Sequence, residues 1–185
     1  MLTEFQRWFA RNVLHVLPAV LFFSVASCGA TEPAPVDGTF RATVAGATQQ
    51  SLAGSADYLI LPGIFSVEMH DLFSSDTSDH EAWDIQISGS DTAAIHAGSS
   101  YVVGLPNPRT YAFIRETRGT TGNPVRIDWM LMTGRLHVDS VDSTLMAGTF
   151  ALTAKGDSAQ GTADETVTIS GSFRARCGPV IFPCR

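Results

Sequence analysis

The histidines and acidic residues that could bind a metal ion or move protons are spread along this chain rather than gathered in a known motif. Beyond residue 28 no two histidines stand at the His-Glu-x-x-His spacing of a zinc site. The densest group of ligands runs from His70 to Asp84, without the Asp-x-Asp-x-Asp-Gly frame of a calcium loop. A solvated loop capping a short helical turn near 74–82 explains this group as well as a divalent cation does. We therefore predict no metal and no cofactor. The histidines concerned are His70, His80, His96 and His137.

Nucleophile motifs are equally absent from the sequence. There is no Gly-x-Ser-x-Gly elbow, and Lys155, the only lysine, has Leu152 rather than serine three residues before it. Acid pairs such as Asp164 and Glu165, or Asp139 and Asp142, fall in turns or on wet strand faces. We therefore predict no catalytic residue and no enzyme. A hydrolase stays open as an alternative if the fold brings a histidine to a serine or a carboxylate.

Cys28 follows an apolar segment of the kind that directs export. Residues 1–27 begin with two arginines and continue into the apolar run 13–25, which is short for a membrane span. Val25-Ala26-Ser27-Cys28 resembles the bacterial lipobox. The resemblance implies a helical signal peptide over 1–27 that is cleaved before Cys28. It also implies that fatty acids such as palmitate become attached to the thiol of Cys28, and often to the amine that cleavage exposes. An ordinary signal peptide or an uncleaved anchor is the alternative.

The residue after the cysteine is Gly29 and not Asp. In enterobacteria-like sorting, Asp at this position retains a lipoprotein at the inner membrane. The resemblance therefore implies the outer membrane. Residues 28–37 then contain two prolines and read as a short extended linker. The net charge is −6 and no basic run occurs, which excludes nucleic acid as an expected partner. The expected membrane contact is therefore the lipid rather than a basic surface.

Two cysteines remain, Cys177 and Cys184, and the expected export would place both outside the cytoplasm. Six residues with two prolines separate them, which allows a small closed loop. We predict a disulfide between them, because export favours oxidation. A metal or redox pair is the rival, but the spacing fits neither a zinc nor a thioredoxin-like motif.

From residue 38 onward the sequence alternates between apolar and polar residues. This period of two predicts antiparallel strands with one buried face and one wet face. Turn signals rich in Gly, Pro, Asn and Asp separate nine or ten candidate strands. We predict an all-β domain over 38–185, an antiparallel meander closing into a β-barrel or a flattened β-sandwich. The clearest alternating segments are 39–44, 64–70, 83–88 and 166–176.

Aromatic residues supply most of the expected core. Gly-x-Phe recurs at irregular spacing, and we interpret each copy as the start of a strand whose Phe points inward. The other aromatic residues stand mostly at the inward phase, as core or as the lining of an apolar pocket. The four glycines are Gly38, Gly63, Gly148 and Gly171. The other aromatic residues are Trp83, Tyr101, Tyr111, Phe113 and Trp129.

Four segments resemble the opening and closing strands of a group of uncharacterised bacterial lipoproteins. They are Gly38–Gly46, Gly134–Val138 with Met146–Ala154, and Val167–Phe173. The resemblance implies a calycin-like β domain and carries no established activity or functional residue.

These observations lead to a membrane-tethered envelope lipoprotein with a non-enzymatic β module for binding or structure. A lipocalin-like carrier of a small apolar ligand and a periplasmic hydrolase are the alternatives. The partner, an apolar ligand or an envelope protein, is not identified by the sequence.

Overall fold

The computed structural model describes residues 33–71, 82–90, 95–104, 109–120, 123–157 and 164–178. The expected signal-peptide helix and the short helical turn lie outside these residues, except that Ala82 begins a strand. The described part of the chain is all-β, as predicted. Its strands are β1 (Thr39–Gly46), β2 (Gln50–Leu61), β3 (Ile64–Asp71), β4 (Ala82–Gly89), β5 (Ser100–Val103), β6 (Thr110–Thr120), β7 (Asn123–Val141), β8 (Leu145–Gly156) and β9 (Thr166–Cys177).

The strands form one sheet that closes into a ring. Successive strands pair in antiparallel fashion, and β9 pairs with both β8 and β1. Only β5 departs from this order, since β4 pairs directly with β6. The long strand β7 pairs with β6 along its first part and with β5 along its second, while β8 occupies its other edge. The predicted antiparallel meander is therefore present, and it closes through β9.

The inner face of the ring carries the apolar phase of each strand. Phe40, Ala42 and Val44 of β1 are buried, and the intervening residues are at most partly so. The same alternation holds in β9, where Val167, Ile169 and Phe173 are buried. The period-two prediction is thus confirmed for these strands. It works because each residue of a pleated strand points to the face opposite its neighbour's.

A bulge in β7 changes which residues face inward. Ile127 and Trp129 are buried at odd positions, whereas Leu136 and Val138 are buried at even positions. The register shift between Leu131 and Thr133 lies between these two pairs and accounts for the change, and a second shift follows between Val138 and Ser140. A bulge adds one residue to one strand and so reverses the phase that follows it. Buried residues therefore occur at both phases of this strand.

The Gly-x-Phe motif has two structural meanings. Gly38 and Gly63 adopt positive φ just before strands, as the prediction of strand starts requires. That prediction is wrong for Gly148 and Gly171, which lie inside β8 and β9. Gly148 pairs with Phe173, whose ring comes within 2.9 Å of the place that a Cβ would take. There the missing side chain makes room for an aromatic ring of the neighbouring strand.

The alternation of strand direction gives the ring two distinct ends. The entry end contains residues 33–38, which lead into β1, the turn 142–144, and the end of β9. The far end contains the starts of β2, β4 and β7. Asp37 lies inside the expected linker 28–37, yet it forms an ion pair of 2.7 Å with Arg174. The last part of that linker is thus held against β9.

Replacing Gly148 by Ala tests the tight approach of β7, β8 and β9. The new Cβ would overlap the carbonyl oxygen of His137 and press on the ring of Phe173. We expect the free energy of unfolding to fall by about 2 kcal/mol or more, because neither backbone nor core can yield. Chemical denaturation of the purified protein measures this.

The matched control is Ala151→Val, an exposed position on the same strand, which should change stability by less than about 0.5 kcal/mol. Equal stability of the Gly148→Ala variant and the parent protein would contradict the strand spacing.

Candidate functional site

The residues predicted to carry covalent modification are only partly described. Cys28 and Cys184 lie outside the described residues, so lipidation and the disulfide stay predictions. Cys177 is the last residue of β9, at the entry end. Its backbone N–H donates to the carbonyl of Thr144 at 3.0 Å, and the N–H of Gly178 donates to that of Tyr58. Cys177 is therefore fixed next to the turn that closes this end.

The structure describes only part of the ligand-rich group that runs from His70 to Asp84, and it brings these two residues together. His70 Nδ1 lies 2.8 Å from Asp84 Oδ1 across β3 and β4, and Glu68 lies 3.9 Å from Nε2. All three side chains are about half exposed on the outer face. Residues 72–81 are outside the described part. Within the described ranges, no three side chains of His, Cys, Asp or Glu converge into a metal site.

A second histidine meets both a serine and a carboxylate. Ser100 on β5 pairs with His137 on β7, and Ser100 Oγ lies 2.8 Å from His137 Nδ1. His137 Nε2 lies 3.3 Å from Asp139 Oδ1. In the tautomer protonated at Nε2, the imidazole donates to Asp139 and accepts the proton of the hydroxyl. We call these three residues the Ser100 relay; its imidazole and carboxylate are 38% and 56% exposed.

The inner face carries one buried charged residue among those described, Glu116, near the far end. Its Oε1 accepts from Arg118 Nε at 2.5 Å, and its Oε2 accepts from Trp129 Nε1 at 3.1 Å. Glu116 is fully buried, whereas the Arg118 side chain is 36% exposed. The carboxylate is therefore held by a cation and a neutral donor, as a buried charge requires.

Two indoles border this ion pair. Trp83 and Trp129 stack with ring centroids 6.2 Å apart, and Trp83 donates from Nε1 to Gln50 Oε1 at 2.9 Å. We call Glu116, Arg118, Trp83, Trp129 and Gln50 the Glu116 cluster. Each indole N–H is satisfied by a side-chain oxygen toward the far end. The cluster therefore gives that end of the ring a polar, hydrogen-bonded lining above an apolar interior.

A pocket of about 330 Å³ opens at the entry end. We call it the entry pocket. It is lined by Asp37, Ser143, Thr144, Leu145, Arg176 and Cys177.

The turn beside the entry pocket is built around Asp142. Its Oδ1 accepts from the hydroxyl and backbone N–H of Thr144 and from the N–H of Leu145, at 2.7 to 2.9 Å. These hydrogen bonds lower the pKa of Asp142. The turn is thus stabilised above the unfolded-state pKa, and that contribution is lost as pH falls through the lowered value. Burial, and next the charge of Asp142, raise the pKa of Tyr58, whose hydroxyl donates to the Asp142 carbonyl at 2.5 Å.

The expected inward placement of the aromatic residues holds only in part. Trp83 and Trp129 are buried, and Tyr101 packs against the core with its ring 5.3 Å from that of Phe65. Tyr111 and Phe113 instead face outward, 56% and 36% exposed. Inward positions of β6 belong to residues of even number, such as Ile114 and Glu116, so the prediction for these two rings is wrong. Arg115 lies 4.6 Å above the Phe113 ring and partly covers it.

Sequence reasoning missed both the Glu116 cluster and the Ser100 relay. The inward phase of Glu116 was available from Ile114, two residues earlier on the same strand. The Ser100 relay had no such signal, because the pairing of β5 with β7 skips β6 and joins residues 37 positions apart.

No family model, no curated protein and no solved structure matches this chain. Among the described residues, no helix has the length and apolar character needed to cross a membrane.

Replacing Glu116 by Leu should destabilise the protein by about 2–4 kcal/mol, because Arg118 and the Trp129 N–H lose their acceptor. Glu116→Gln keeps one acceptor oxygen and should cost about 1–2 kcal/mol. Urea unfolding followed by tryptophan fluorescence measures both, since Trp129 reports on the site.

Glu68→Gln is the matched control on the outer face, where the side chain is about half exposed, and should change stability by less than about 0.5 kcal/mol. A Glu116→Leu variant as stable as this control would show that the buried ion pair is not held as described.

Proposed function

We propose that this protein is a bacterial envelope lipoprotein, anchored by acyl chains on Cys28, with a non-enzymatic β module that binds at its outer surface or serves structurally. The proposal of a non-enzymatic β module rests on the packing of the inner face. Large apolar side chains from the ring strands form one continuous buried cluster. Side chains that contact one another leave less room for a carried ligand. The largest of them are Trp83, Tyr58, Phe40, Phe65, Phe173 and Met69.

The closed order of strands supports a barrel in preference to a sandwich. Apart from β5, each strand is hydrogen-bonded to a neighbour on both edges, and a sandwich of two separate sheets would leave edges unpaired. In a ring of eight strands, side chains are just large enough to fill the interior. The packing therefore favours a surface-binding or structural module over the lipocalin-like carrier.

The position of the entry end supports the anchored arrangement. Eight residues separate Cys28 from Asp37, which is fixed to β9 through Arg174. An extended chain spans at most about 3.6 Å per residue, so the entry end would lie within about 30 Å of the acylated cysteine. We propose that the membrane is the outer membrane. A Cys177–Cys184 disulfide would hold the C-terminal segment at the entry end.

Cys28→Ser should abolish incorporation of labelled palmitate and move the protein out of the membrane fraction, because serine provides no thiol for acylation. Metabolic labelling followed by fractionation in a bacterial host measures both. Cys177→Ser is the matched control and should keep full labelling. Label on the Cys28→Ser variant equal to that on the control would refute the anchor.

The Ser100 relay favours a second candidate function, a hydrolase. His137 is placed to take the Ser100 proton while Asp139 stabilises the imidazolium, which is the division of roles in serine hydrolases. The hydroxyl could then attack an ester carbonyl, the alcohol would leave with the proton from His137, and water would release the acyl group. The relay is open to solvent on the outer face, which weakens such activation, and we rank this function second.

Hydrolysis of p-nitrophenyl acetate separates the two functions. A hydrolase should lose at least about a hundredfold of its rate in Ser100→Ala, which removes the nucleophile, and in His137→Gln, which removes the general base. Ser99→Ala is the control, because Ser99 bonds to His96 rather than to the relay. Equal rates in the parent protein and all three variants would eliminate the second candidate.

A further inference from the structure

The entry pocket presents a cation that no described residue neutralises. Arg176 is exposed on β9, and none of the residues that the structure describes forms a hydrogen bond or ion pair with its guanidinium. The neighbouring Arg174 is already held by Asp37 at 2.7 Å. Arg176 is thus the charged group of this pocket whose N–H donors have no acceptor among the described residues.

Two acidic groups at the pocket already have partners, and Asp57, which aligns with Arg176 where β2 pairs with β9, forms no ion pair with it. Asp37 is paired with Arg174, and the Asp142 carboxylate accepts three hydrogen bonds from its own turn. The Ser143 hydroxyl adds a neutral donor to the wall. Through a guanidinium that no described residue pairs and a neighbouring hydroxyl, the pocket can donate hydrogen bonds to an anionic ligand.

The Arg176 side chain is guided into place by a glycine. Gly38 has a φ of +82°, and Arg176 Cδ and Nε pass 3.0 and 3.1 Å from the position that a Cβ at Gly38 would take. A side chain at residue 38 would push the arginine aside. The stem of Arg176 therefore lies over the backbone at the point where the chain enters the ring.

We propose that the entry pocket binds the phosphodiester of an anionic phospholipid headgroup through Arg176. A guanidinium donates two parallel hydrogen bonds to a phosphate, which a compact ammonium does not. The pocket volume of about 330 Å³ suits a headgroup-sized ligand. Because the net charge is −6, attraction of the whole surface to an anionic membrane is not expected, and the contact has to be local.

The choice of a membrane lipid over free phosphate rests on the proposed function. The acylated Cys28 would hold the entry end within about 30 Å of the bilayer, so headgroups would be the phosphates at highest local concentration. Phosphate recognition itself does not need the anchor. The two proposals can therefore fail separately.

Dihexanoyl phosphatidylglycerol, used below its micelle concentration, tests the pocket on the full chain without a bilayer. Titration followed by NMR should shift the signals of residues 143–145 and 176–177. Arg176→Gln should weaken binding by at least about tenfold, the effect of losing a charge-assisted hydrogen bond. Arg176→Lys should bind with intermediate affinity.

Arg41→Gln is the matched control, with the same change of net charge at an exposed position of β1, and should bind as the parent protein does. Equal binding by Arg176→Gln and Arg41→Gln would overturn the site. Inorganic phosphate and glycerol are titrated separately into the same protein. Tighter binding of inorganic phosphate than of the lipid would overturn the headgroup assignment, whereas a preference for the lipid lost in Arg176→Gln supports it. If the parent protein carries no palmitate on Cys28 but still binds the lipid through Arg176, only the anchor is refuted.

Discussion

Pairing of the last strand with the first is the interaction on which the arrangement of this protein depends. Eight residues of β1 align with β9, from Thr39 opposite Arg174 to Gly46 opposite Val167. The same strand β9 pairs with β8 over eleven positions. Without the β1–β9 contact the remaining hairpins would form an open sheet with two exposed edges, which is prone to pair with other chains. Closure also creates the interior in which the apolar faces meet.

Closure explains why several features gather at the entry end. Since β1 and β9 are antiparallel neighbours, β1 begins where β9 ends, and residues 33–38 lie beside Arg174, Arg176 and Cys177. The Asp142 turn joins them because β8 is the other neighbour of β9. The opposite end contains the Glu116 cluster, where an ion pair and two indole N–H groups lie within the ring. Closure therefore separates the entry pocket and the Glu116 cluster at opposite ends of the ring.

The strands could be predicted from the sequence where one face is buried and the pleat is regular. That condition holds in β1, β3, β4 and β9, and their alternation identified both the strands and their inner faces. It fails in β7, where a bulge between Leu131 and Thr133 reverses the phase, and in β6, where Tyr111 and Phe113 are outward despite their aromatic character. Gly148 and Gly171 show the same limit, since a glycine that starts a strand and one that admits a ring or the backbone of a neighbouring strand share one local motif.

Polar groups are harder to anticipate because their partners come from other strands. The Ser100 relay and the His70–Asp84 contact depend on strand pairings that no local pattern encodes. Glu116 is an intermediate case. Its phase was readable, but its partner Trp129 comes from the neighbouring strand. Arg176 shows no distinguishing feature in the sequence, and it becomes distinct only when Gly38 and Asp37 are placed beside it.

Nuclear Overhauser effects between backbone protons test ring closure most directly. The account predicts cross-strand contacts for Ala42 with Gly171, on β1 and β9, in the same monomeric sample as those for His137 with Thr149, on β7 and β8. Amides of β1 should then exchange with solvent as slowly as those of β8. Contacts between β7 and β8 without any between β1 and β9, together with fast exchange throughout β1, would contradict the closed ring.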